Sequence, residues 1–226
     1  MPVESMRRSE AMRMNVLLSR ACLLICVCEV LCLCQEVRGE DRQASTAAIK
    51  ALADFPSLLD ERTAKLMGFG SLKDFDRAKL GSPMPIASVP FAKLKNYVPS
   101  DDPQPLLVDT HQQLYPILVD GKWRSSIILA FDKETWKPVS YGGANLVKVL
   151  SDLIAKETGK GPFSIVEIHS FDLYFLAFDR SHELILISAQ NDSTYGLKLG
   201  SVEPARQVFS SLASQLQLLR GKPSSK

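Results

Sequence analysis

The sequence predicts an α+β protein. Its body is an antiparallel sheet, or two related sheets, made of two similar β-meander-plus-helix units at about residues 106–158 and 163–219, preceded by short N-terminal helices. Three observations carry that prediction. Asp120-Gly121 stands alone between two β-prone runs, the signature of a two-residue hairpin whose turn residues both need positive φ. Two later stretches, Asn145–Thr158 and Pro204–Leu219, place apolar residues at helical spacing, and each follows a block of strands. Sliding the chain against itself by 59 residues brings the two blocks into register.

The first 39 residues read as an address rather than as structure. Arg7, Arg8, Arg13 and Arg20 precede the apolar run Ala21–Cys28, which matches a secretory signal peptide cut after about residue 34 or 39, with Met12 or Met14 as alternative starts. A membrane anchor needs about 20 apolar residues, whereas Arg20 and Glu29 bracket only eight. Lipidation at Cys34 would require a small residue just before it, and Leu33 is there. Membrane contact is therefore expected only through an uncleaved leader or that lipidation. All five cysteines, Cys22 to Cys34, lie in this stretch, which removes disulfides, thiol nucleophiles and cysteine metal sites from the body.

Residues 40–81 predict short helices: Ser45–Asp54, then one from Ser57 through Leu66, then a turn or two from Ser71 to about Leu80. Residues 82–105 form a proline-rich connector, in which Met84–Val89 reads as an edge strand because prolines are tolerated there, and Phe91–Tyr97 as a helical turn or two. The duplicated domain follows over 106–220. Its first unit has strands at Leu106–Thr110, Leu114–Val119, Lys122–Phe131 and Trp136–Tyr141, a Gly142-Gly143 break and the first long helix. Its second has strands at Phe163–Ile168, Leu173–Phe178, Glu183–Ala189 and Tyr195–Leu199, then the closing helix. Residues 221–226 read as a disordered tail. In the 59-residue register Leu114-Tyr115 meets Leu173-Tyr174, Trp136 meets Tyr195, and Leu153 meets Leu212. Such units give a sheet covered by helices on one side.

Composition narrows the chemistry. Residues 40–226 carry 22 Lys+Arg and 21 Asp+Glu, so no basic field calls for nucleic acid. No nucleophile elbow, P-loop or dinucleotide fingerprint occurs, and no catalytic residues or cofactors are expected. Trp123 and Trp136 are the candidate ligand or partner surface, because exposed tryptophans on a sheet mark such places. Alternation places Asp109 with His111, and Glu167 with His169, on shared strand faces. Were the halves to converge, these four would suit zinc or a similar ion. In most sheets, though, such residues are simply the wet side.

The expected function is thus a non-catalytic binding or interaction module, exported to the periplasm, envelope or medium of a bacterium, that engages an unknown protein or small ligand. One alternative is a metal binder or metal-dependent hydrolase using Asp109, His111, Glu167 and His169. Another is an inhibitor or propeptide-like partner of an exported enzyme.

Overall fold

The computed structural model describes residues 41–157 and 160–221. The leader and the tail beyond 221 lie outside the described residues, and so do the cysteines. The chain divides into two compact units, residues 1–46 and 47–226. In the first, residues 41–46 are helical, and Thr46 Oγ1 donates to the Arg42 carbonyl at 2.9 Å. All that follows concerns the second. Among the described residues no helix is long and apolar enough to cross a membrane.

Residues 47–54 are helical (α1), and a 3-10 turn over Phe55–Leu58 follows at Pro56. The next helix, α2, is Glu61–Leu66, shorter than the predicted one. Asp60, not Ser57, caps it, accepting from the Thr63 N–H at 2.6 Å. The third expected helix is a 3-10 turn over Leu72–Arg77, and its last predicted residues are strand β1, Ala78–Leu80. These elements are held by rings rather than by helical length. Phe55 and Phe69 are fully buried, with Phe75 edge-on to Phe55 and tilted against Phe69, and Tyr141 at 4.5 Å from Phe55.

The remaining strands are β2 (Met84–Ser88), β3 (Val108–Val119), β4 (Lys122–Asp132), β5 (Thr135–Gly142), β6 (Ser164–Ile168), β7 (Leu173–Arg180), β8 (Glu183–Ser188) and β9 (Val202–Pro204). The short helix α3 (Phe91–Leu94) follows β2, α4 (Ala144–Lys156) follows β5, and α5 (Ala205–Gly221) follows β9. All nine strands share one sheet in the order β5-β4-β3-β2-β6-β7-β8-β9, with β1 also paired to β3. Every pairing is antiparallel except β2 with β6, which is parallel. The Asp120-Gly121 hairpin joins β3 to β4, with φ of +51° and +75°.

Three strand expectations are corrected. β2 is central, not an edge strand. Its proline is tolerated because Pro85 precedes the ladder to β6, which begins at Ile86 and Ile165. The two strands predicted over 106–119 are one, since the chain passes His111 in a left-handed bulge (φ +52°) and continues. Tyr195–Leu199 is a turn closed by one bridge, Asp192 with Leu197, and the fourth strand of that half is β9. Asn191, Asp192 and Gly196 bring turn chemistry there: the Asp192 carboxylate accepts from the Thr194 N–H at 2.8 Å, and Gly196 takes φ +69°.

The helices lie on both faces, against the one-sided expectation. α4 packs Leu150 and Leu153 with Ile165, Leu176, Ile185 and Ile187. α5 packs Val208, Phe209 and Leu212 with Val166, Phe175, Ala177 and Leu186. These strand residues alternate along β6, β7 and β8, so the two sets point to opposite sides of the sheet. The parallel join explains it. Each half runs four strands and then a helix, from β2 to α4 and from β6 to α5. Placing β2 and β6 side by side and parallel turns one half over relative to the other.

Candidate binding site

The sheet is not closed along its middle. The β2–β6 ladder runs over Ile86–Ser88 and Ile165–Glu167. Continued backward in the same register, it would set Pro85 beside Ser164, Met84 beside Phe163 and Pro83 beside Pro162. Proline has no N–H to give to a ladder, so pairing stops where the prolines begin. Beyond that point β1 is paired only to β3, and Phe178–Arg180 of β7 only to β8.

A cavity of about 750 Å³ occupies this opening. Residues 81–85 form one wall and residues 160–164 the other. Met84, Trp123, Ile154, Phe163 and Phe178 reach it from the α4 side, and Leu107 and Leu184 from the α5 side. Its volume lies in the range typical of small-molecule sites, and its walls have the usual apolar character. Trp123 is half-buried, at the start of β4.

Two ionic side chains stand on the wall among the described residues, Lys160 and Asp179. Lys160 forms an ion pair with Glu157, and its ammonium lies 5.6 Å from the centre of the Phe178 ring. Asp179 accepts from Gln104 Nε2 at 3.3 Å. Arg180 lies on the same Phe178 ring at 5.3 Å. Ser82 and Ser164 bring hydroxyls to the wall that make no hydrogen bond within the described structure.

Trp136 is elsewhere. Its cross-strand partner is Phe131, eight residues along β4 from Trp123, which is roughly 26 Å of strand. The Trp136 ring packs on Phe131 at 5.4 Å, and its indole N–H is buried without a hydrogen-bond partner. The two tryptophans therefore do not form one surface, and only Trp123 faces the cavity.

The four residues considered for a metal form two separate pairs. Asp109 Oδ2 lies 3.5 Å from His111 Nδ1, in the β3 bulge, and both are largely exposed. Glu167 Oε2 lies 3.3 Å from His169 Nε2, where β6 passes into a 3-10 turn. β2 runs between the two strands, which separates their backbones by roughly 10 Å. Among the described residues no three of His, Cys, Asp and Glu form a group able to hold a metal ion. His182 sits in the β7–β8 turn with φ +66°, exposed.

Glu167 differs from the other three in its surroundings. Its side chain is 13% exposed, and burial raises its carboxyl above the usual range, more than the nearby His169 lowers it. Tyr174, its cross-strand neighbour, is raised as well, first by burial and then by Glu167 and Asp172.

No family model, curated protein or solved structure matches this chain. The cavity geometry therefore carries the functional reading alone. Sequence reasoning pointed to Trp123 but missed the cavity around it. The signal was present in Pro83, Pro85 and Pro162, which read only as connector, edge-strand and loop residues until β2 and β6 are known to be neighbours.

Proposed function

We propose that this chain is an exported, non-catalytic binding module whose ligand enters the cleft between residues 81–85 and 160–164. The single observation that carries the reading is the apolar cavity lined by Trp123 at the break in the sheet. A gap of this kind leaves apolar side chains from both cores facing solvent, and a ligand that covers them gains about 25 cal/mol for each Å² of apolar surface removed from water. Export is supported by the basic-then-apolar leader, Arg7 to Cys34. No nucleophile–base pair points into the cavity: Lys160 and Asp179 are its ionic groups among the described residues, and each has a partner.

Titration of the full chain with Nile red, a neutral dye that brightens in apolar sites, tests the reading. The dye emission should rise and shift to the blue. Trp123→Ala should weaken binding about tenfold, because it strips the largest apolar wall. The same change at Trp136 should leave binding unaltered. Equal binding to both variants would place the dye elsewhere and end the assignment.

A further inference from the structure

We infer that the cleft takes an uncharged, largely apolar molecule with a hydrogen-bonding end, rather than an anionic amphiphile. The inference rests on the reading of the cleft as a ligand site and adds the ligand class.

Neither rim suits an added strand where its prolines lie. A peptide added to a sheet edge is held by main-chain N–H and C=O groups in register. Here the facing walls carry Pro83, Pro85 and Pro162, which offer no N–H, and proline is a device that keeps strands from adding at an open edge. Main-chain groups stay open beyond them, along β1 and Phe178–Arg180, and the wall also carries the side chains of Met84, Leu107, Leu118, Trp123, Ile154 and Phe163.

Charge decides against an anion. A carboxylate entering an apolar cavity must replace its hydration with a counter-ion or a set of donors. Lys160 is already committed to Glu157 and rests over Phe178, and Asp179 next to it would repel a second negative charge. Arg180 is exposed, lies on that same ring and does not line the cavity. Among the described residues the wall therefore offers no unpaired cation. It does offer the Ser82 and Ser164 hydroxyls, each able to donate to and accept from a neutral hydroxyl or carbonyl.

Competition of decanol and decanoate against Nile red on the full chain at neutral pH tests the inference, with both competitors kept below their aggregation limits. The pair share one chain length and differ in head-group charge. Decanol should displace the dye at a concentration at least about tenfold lower than decanoate, the penalty for burying an uncompensated carboxylate being of that order or larger. Ser164→Ala should weaken decanol more than decanoate and so narrow the gap. Should decanoate compete as well as decanol or better, or should neither displace the dye, the ligand class is wrong. Dye binding that still depends on Trp123 would then leave the cleft itself standing as a ligand site. Loss of that dependence would remove the cleft.

Discussion

Glu167 is where one residue's environment has a measurable consequence. Its carboxyl is raised by burial, so between the ordinary glutamate range and its folded value the folded chain holds a proton that the unfolded chain has released. The sign follows directly. Stability from this group is fully present below the unfolded value and is lost as pH rises through the folded one. Glu167→Gln cannot titrate and should therefore flatten the decline in melting temperature as pH rises above the ordinary glutamate range. Parallel slopes for the two proteins would show that Glu167 titrates alike in both states. The pair it forms with His169 was visible in the sequence as two residues at strand spacing. Its separation from Asp109 and His111 was not, because nothing local tells that β2 lies between β3 and β6.

At the scale of elements, each long helix anchors one core. Phe209 of α5 and Leu150 of α4 are fully buried on opposite faces of the sheet. Truncation should cost about 3–5 kcal/mol for Phe209→Ala and about 2–5 kcal/mol for Leu150→Ala, read as shifts in denaturant midpoint at unchanged slope. Costs below about 1 kcal/mol would mean that the helix in question is not seated as described. Both helices were legible because their apolar spacing repeats over three or more turns, and the Asp120-Gly121 hairpin was legible because its turn type admits few residues. Shorter elements were not. Ser57 and Asp60 are both good caps, but Ser57 lies inside the 3-10 turn and its hydroxyl donates to the Asp54 carbonyl, which leaves Asp60 to start α2. Tyr195–Leu199 has the composition of a strand, yet the Asp192 side chain and Gly196 fold it into a turn.

At the scale of the molecule, the parallel contact of β2 with β6 sets both the shape and the site. It turns one half over, so α4 and α5 cover opposite faces, and the strands β6, β7 and β8 serve both cores with alternate residues. Shared strands couple the cores, and Leu150→Ala and Phe209→Ala should accordingly lower one common unfolding transition rather than split it into two. The same contact ends at prolines, and the sheet opens there. No segment of the sequence announces this, because the two walls are about eighty residues apart and belong to different halves. The central claim is that this opening receives a ligand. The chain has two tryptophans, one on the cleft wall and one packed on Phe131, which makes their indole N–H signals a direct test. In a ¹⁵N-labelled full chain titrated with decanol, the Trp123 indole resonance should move in a saturable way while that of Trp136 stays in place. Movement at Trp136 alone, or at neither, would contradict the account.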